Sequence, residues 1–192
     1  MSYTGAMHAV IVDPPEHMLE ERRRLGHDIR DEVWDGVLHM VPQPTFAHQL
    51  LAGDLNHALW PLARAAGLLT VPELGLYGSE RNYRVPDLMV VDPARAQERG
   101  IEARAEIAIE ILSPGDESRA KLPFFAQHGT QEVWLIEPVT RTVEVYTLRG
   151  QTYFAIAPEA DGSVRAPRLG LVLRTVAGPK LRIEWPDGNT EI

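Results

Sequence analysis

The sequence predicts an α+β (mixed α/β) fold: a central mixed β-sheet flanked by helices, with an N-terminal helix and hairpin. Three observations predict it. Apolar spacing switches between helical and strand periods in the order helix, hairpin, helix, strand group, helix, more strands, without the regular βαβ alternation of a doubly wound sheet. Fifteen glycines and fifteen prolines in 192 residues require many turns and short elements. The balance of 44% apolar to 24% charged residues is that of a globular chain, and the length suits one domain over residues 1–192. The core is expected over about residues 14–175, with the first ten residues frayed.

No internal repeat, low-complexity tract or linker divides the chain. Pro14 to Arg24 reads as a helix, with proline at its start, acids early, bases late and Gly26 as its stop. Two short alternating runs around Asp35-Gly36 are a hairpin signal. Thr45 to Ala66 reads as a second helix, because Leu51, Leu55, Leu59, Leu62 and Ala66 recur at spacings of three and four; Pro61 is expected to kink or shorten it. Short β-like pieces follow: LLTV, LGLY, RNYRV running into Pro86, and DLMVV. A charged loop from Asp92 to Arg104 leads to AEIAIEILS, nearly continuous strand text. DESRAKLPFFAQHG reads as a third helix stopped by Gly129, with Pro123 interrupting it early. EVWLIEP, TVEVYTL and TYFAIA are further strands, and RLGLVL and KLRIEW are two short late ones.

Composition excludes several functions. With no cysteine there is no disulfide, no thiolate metal site and no thiol nucleophile. No apolar run approaches about 18 residues, and the start MSYTGAMHAV lacks the apolar core of a signal peptide. A soluble, cytoplasmic protein with no membrane partner is expected. The net charge of −8 argues against a non-specific DNA coat. That charge is unevenly spread: Arg165, Arg168, Arg174, Lys180 and Arg182 stand in a stretch free of acids, and Arg22 to Arg24 with Arg30 form a second basic cluster. Such runs are solvated faces or the lining of a phosphate-binding groove.

The chain has no GxSxG elbow, no GxxxxGK[ST] loop, no GxGxxG and no HExxH, and its seven histidines show no zinc-ligand spacing. The anomaly is Glu110. In EIAIEIL, Ile107, Ile109 and Ile111 share one face of the strand, while Ala108, Glu110 and Leu112 share the other. Two readings are open: a wet glutamate on an edge strand, or a buried ligand at the centre of a sheet. Asp87 follows Pro86 directly before the apolar DLMVV, so Asp87 and Glu110 sit on consecutive strand segments and can converge. Two hard carboxylates are what Mg²⁺ prefers, with water and substrate phosphate completing its shell. Lys121, on the following helix, is the candidate cation. It is either a solvated helix lysine or the group that orients an attacking water.

A proline-aspartate, a strand glutamate and then a lysine resemble the PD-(D/E)XK nuclease superfamily. More narrowly, the chain is similar to the Uma-two family of restriction-endonuclease-like proteins, widespread in bacteria. The resemblance runs from about Leu19 to Leu173 and rests on EVWDGVLHMVPQP…H (Glu32 to His48), VPDLMVVD (Val85 to Asp92), EILSP (Glu110 to Pro114) and K…F…HGTQEVWLIEP (Lys121 to Pro138). It implies a restriction-endonuclease-like core and a Mg²⁺-dependent endonuclease, with Mn²⁺ able to substitute, hydrolysing phosphodiester bonds of nucleic acid, DNA above RNA. Asp87 and Glu110 would hold the metal, with the backbone carbonyl of Ile111 as a third ligand, and Lys121 would assist the water. Glu32 matches an acidic residue before the first hairpin, an outer or second metal ligand. His48 matches a histidine at the start of the long helix, a phosphate contact or a helix N-terminal hydrogen bond. Leu112 stands where the superfamily lysine is usual and Glu117 where an aspartate is usual, so Lys121 must substitute from the next helix.

Cutting two strands favours a symmetric pair of sites, hence a homodimer. The alternative is a non-catalytic binding or assembly module that keeps the nuclease fold. A serine hydrolase around Ser113 has no supporting motif.

Overall fold

Helix-spaced leucines and alternating apolar runs fold where their periods direct them. The computed structural model describes residues 9–113, 115 and 117–192. In chain order the elements are β1 (Ala9–Val12), α1 (Glu16–Leu25), β2 (Glu32–Trp34), β3 (Val37–Met40), α2 (Phe46–Ala65), β4 (Leu69–Pro72), β5 (Gly75–Ser79), β6 (Asn82–Arg84), β7 (Leu88–Val91), β8 (Ala96–Gln97) and β9 (Gly100–Glu102). They continue as β10 (Ile107–Ile111), α3 (Leu122–Gln127), β11 (Glu132–Ile136), β12 (Val143–Arg149), β13 (Thr152–Ala155), β14 (Val164–Ala166), β15 (Leu171–Val176), β16 (Lys180–Trp185) and β17 (Gly188–Glu191).

The central sheet has the order β13-β12-β11-β10-β7-β4, with β10 and β11 parallel and every other pair antiparallel. One face carries Leu88, Val90, Ile107, Ile109, Ile111 and Trp134. It packs against Leu51, Leu55, Leu59 and Ala63 of α2 and against Val164, Leu171, Leu173, Leu181 and Ile183 of a four-stranded sheet, β14-β15-β16-β17. That core reaches past the 14–175 span assigned from sequence. The opposite face carries Met89, Val91, Ala108, Val133 and Leu135, covered by Phe124 and Phe125 of α3 and by Leu76 and Ile101. Those last two belong to a seven-stranded sheet, β1-β3-β2-β6-β5-β9-β8, whose other apolar side chains pack beneath Leu19 of α1. The central mixed sheet is thus covered by strands as well as helices.

Local chemistry explains the boundaries. Asp35 (φ 48°) and Gly36 (φ 89°) both take the left-handed conformation that closes a two-residue hairpin between β2 and β3. Thr45 Oγ1 accepts the His48 N–H at 3.3 Å and caps α2, which runs on through Pro61 to Ala65 although proline cannot donate the bond that its position would make to the carbonyl one turn earlier. Pro123, expected to disturb its helix, is the second residue of α3, where no intrahelical donor is needed; a 3₁₀ turn (Ser118–Lys121) precedes it. Of the stretch expected to fray, Ala9 and Val10 pair with β3 and residues 1–8 lie outside the described residues. Pro114 of the EILSP motif and Asp116 lie outside them too.

The parallel contact of β5 with β9 depends on Gly100, since a Cβ there would lie 2.2 Å from the Gly75 carbonyl oxygen. Gly100→Ala is expected to cost about 2–3 kcal/mol by overpacking, read from the urea midpoint. An unchanged midpoint would mean that the strands separate at no cost. Among the described residues no helix is long and apolar enough to cross a membrane.

Candidate active site

The open choice for Glu110 is resolved by topology. β10 lies between β7 and β11, and Glu110 is 3% exposed, so the wet edge-strand reading does not hold. The period of two turns Glu110 to the α3 side of the sheet. The register Leu88↔Ile109 runs antiparallel and, one residue further, brings Asp87 beside Glu110 on that same side. Asp87 is itself buried at the entrance of β7.

Lys121 closes the cluster. It ends the 3₁₀ turn before α3, which sends its side chain toward the sheet. Its Nζ donates to Glu110 Oε1 at 3.0 Å and Oε2 at 2.9 Å, and lies 2.8 Å from Glu32 Oε1. Glu32 comes from β2 of the seven-stranded sheet. Its Oε1 also accepts the Val85 N–H (2.9 Å), and its Oε2 accepts the Trp34 indole N–H (2.6 Å). A strand of the seven-stranded sheet and a strand of the central sheet therefore meet at one ammonium. Burial pushes the Glu110 carboxyl above the ordinary carboxylate range; Lys121 opposes that rise, and Asp87 and Glu32 add to it. Burial alone would lower Lys121, but Glu110 and Glu32 hold its ammonium above the usual lysine range.

The structure brings together five of the six sequence-nominated residues through their side chains, and the sixth through its backbone. Asp87 Oδ2 accepts the Ile111 N–H at 2.7 Å, which places the Ile111 backbone beside that carboxylate. His48 was expected to serve helix capping or phosphate. Capping involves only its backbone N–H; its ring Nε2 lies 3.2 Å from Asp87 Oδ2, and its buried Nδ1 has no partner.

Two groups escaped the sequence reading of the site. Arg30 reaches Asp87 Oδ1 (3.4 Å) and Glu73 Oε1 (2.5 Å). Arg84 stands behind Glu32, its guanidinium 4.4 Å from the Trp34 ring and 4.3 Å from that of Phe124. His39 stacks on Trp34 at 4.2 Å, and His128 packs tilted on Phe124 at 4.4 Å, so both rings that flank the guanidinium carry a histidine as well. Burial pulls the Arg84 guanidinium down to about 10, still fully charged at neutral pH. The available signal was Arg84 alternating with Asn82 around a buried Tyr83, directly ahead of Val85-Pro86-Asp87. Glu132 and Trp134 repeat the indole-to-carboxylate contact at 3.0 Å, but there the carboxylate meets the backbone N–H of Arg168 and no lysine.

The donor chemistry suits a hard divalent cation. Glu32, Glu73, Asp87 and Glu110 face Arg30 and Lys121, with the Arg84 guanidinium behind Glu32, so four carboxyl groups meet three cations in a largely buried cluster. It is no preassembled cage: among the described residues no three His, Asp or Glu side chains converge on one point. Two adjacent carboxylates with water and phosphate completing the shell is how Mg²⁺ is usually held. Nor do the two basic stretches form a bare groove among the described residues. Arg165 pairs with Glu159, Arg168 with Glu106, Arg174 with Asp161 and Glu184, and Lys180 and Arg182 with Glu191. Arg22, Arg23 and Arg24 likewise meet Asp31, Glu16 and Glu21.

The α+β fold thus carries an acidic, lysine-bearing cluster on its central sheet. The crystal structure described as a putative nuclease belonging to DUF820 from Anabaena variabilis ATCC 29413 is similar at a TM-score of 0.59 and 24% identity, over 73% of this chain and 83% of that one. That likeness shows a shared fold. Residues 17–177 match the Uma2 family, described as "Putative restriction endonuclease", and the chain belongs to that family. No curated protein matches it.

Proposed function

We propose that this protein is a metal-dependent endonuclease that hydrolyses phosphodiester bonds of DNA. The observation that carries the reading is the meeting of Asp87 and Glu110 on adjacent central strands with the Lys121 ammonium on Glu110. Asp87 and Glu110 would hold Mg²⁺, or Mn²⁺ in its place, with the Ile111 carbonyl as a further ligand and Glu32 as an outer one. The ion, when bound, supplies a Lewis acid for the phosphoryl oxygens and a lowered pKa for bound water. The chain's own part is distinct. His48 and the Ile111 amide hold Asp87 in orientation, since the Ile111 N–H donates to the carboxylate oxygen that His48 Nε2 approaches to 3.2 Å. Glu32, fixed by Trp34 and the Val85 amide, draws Lys121 toward the carboxylates. There the ammonium orients the attacking water and stabilises charge on the phosphorane. A homodimer would offer one such site to each strand.

The test is cleavage of supercoiled plasmid and single-stranded DNA with Mg²⁺ or Mn²⁺ against EDTA. Wild type is expected to cut only with metal and Asp87→Ala not at all. Metal-independent cutting, or an Asp87→Ala protein as active as wild type, would sink the reading. One observation favours a second reading, a non-catalytic module: the arginines and lysines of both basic stretches are already paired with carboxylates. Metal binding by wild type without cleavage of either DNA would favour that module.

A further inference from the structure

The acidic centre opens to solvent on one side. Side-chain exposure is 1% at Glu32, 3% at Glu110 and 11% at Lys121, then rises through Arg30 (21%) to Glu73 (32%). A ligand approaching Asp87 from that side meets Arg30. The guanidinium of Arg30 is strung unequally between two carboxylates. Nη1 makes a short ion pair with Glu73 Oε1 at 2.5 Å, while Nη2 is only at the limit of hydrogen bonding with Asp87 Oδ1 at 3.4 Å. Its Nε has no hydrogen-bond partner. The fork therefore keeps donors in reserve.

Glu73 is built to hold it there. Its backbone sits at φ 46°, the left-handed region that a glutamate adopts only under constraint. Its N–H donates to the Asp87 carbonyl at 3.3 Å, and its Oε1 also accepts Gln49 Nε2 at 2.9 Å. Arg30, its tether and Asp87 are thus locked to one another by backbone and side chain alike.

Resting on the nuclease reading above, we infer that Arg30 docks a phosphate of the nucleic acid at the mouth of the site, with Glu73 as its positioning residue. While Asp87 is free, Nη2 shares in neutralising it. Once Asp87 is engaged by a cation, its weak hold on Nη2 ends, and that donor is released to a phosphate oxygen while Glu73 keeps Nη1 in place. The planar fork suits a phosphate's paired oxygens as an ammonium does not.

The experiment is anisotropy of a short fluorescent DNA duplex in Ca²⁺, a hard cation for the same carboxylates, alongside calorimetry of Ca²⁺ alone. Wild type, Arg30→Gln, Arg30→Lys and Asp87→Ala are compared, with circular dichroism to show that each is folded. Arg30→Gln is expected to keep Ca²⁺ affinity within a few-fold of wild type, bind the duplex about tenfold more weakly and lose about one unit of salt slope. Arg30→Lys is expected to keep the slope but not the affinity. Wild type that binds neither Ca²⁺ nor duplex would overturn the nuclease reading and the role of Arg30 with it. Wild type that binds both, with Arg30→Gln equal to it on the duplex, would overturn the assignment of Arg30 alone. So would an Arg30→Gln protein that loses Ca²⁺ as completely as Asp87→Ala, because the arginine would then be supporting the carboxylates.

Discussion

Lys121→Met is expected to destabilise the metal-free protein by about 3–5 kcal/mol and to lower any cleavage rate by at least about a hundredfold. The ammonium bonds both oxygens of Glu110 and one of Glu32, and those acids are 3% and 1% exposed. Methionine fills much of the space and leaves two buried carboxylates facing each other without it. The deficit has a pH signature. Glu110 already lies above its ordinary range when folded, and loss of the cation raises it further. A carboxyl raised by folding costs nothing below its unfolded pKa and progressively more as pH climbs toward its folded value. Up to about pH 8 the folded wild type and the folded variant both hold the Glu110 proton, so urea denaturation is expected to show a constant gap between them below that pH and a widening one above it. A gap that does not widen above about pH 8 would show that Glu110 is not the source of the loss.

Arg84→Ala is expected to cost about 3–4 kcal/mol, and Arg84→Lys at least half of that. The guanidinium fills the slot between Trp34 and Phe124, and its Nη1 donates at 3.0 Å to the Val33 carbonyl, the Tyr83 carbonyl and Asn82 Oδ1. Stacking on two desolvated rings is worth about 2 kcal/mol each at best, and alanine adds the cavity term. Lysine keeps the charge but has neither the plane nor the fork. Because Arg84 ties β2 and β6 to Phe124, its loss also frees α3 relative to Glu32. The cleavage rate of Arg84→Lys is thus expected to fall although the variant keeps its charge and every proposed metal ligand. A lysine variant with wild-type stability would show that charge alone serves at this position.

Local patterns made much of this legible. The alternation in EIAIEIL assigns the faces of β10, the leucine spacing marks α2, and Asp35-Gly36 announces the hairpin, each because one period or one turn residue suffices. Strands β1, β8, β9, β14 and β17 were missed; they are two to four residues long, and β17 (GNTE) has no apolar side chain to alternate. At the site, the acids and the lysine were found because carboxylates in apolar text are costly. Arg30 was noticed as part of a basic cluster, but its partners lie 43 and 57 residues away, and no local pattern encodes such pairing. The basic stretch from 162 to 183 looked bare because its acids lie just outside it: Glu159, Asp161, Glu184 and Glu191 flank it in sequence, and Glu106 reaches it from β10's entrance.

The four-stranded sheet at the C-terminal end has a consequence for the order of assembly. Leu51, Leu55 and Leu59 share their core with Leu171, Leu173, Leu181 and Ile183. In a chain synthesised from its N-terminus, α2 and the central strands emerge first, with Leu88, Ile109 and Trp134 still lacking half their cover. The nascent chain thus presents an oily seam until its last strands arrive. Closure of that seam is expected to follow formation of the hairpin and of α2.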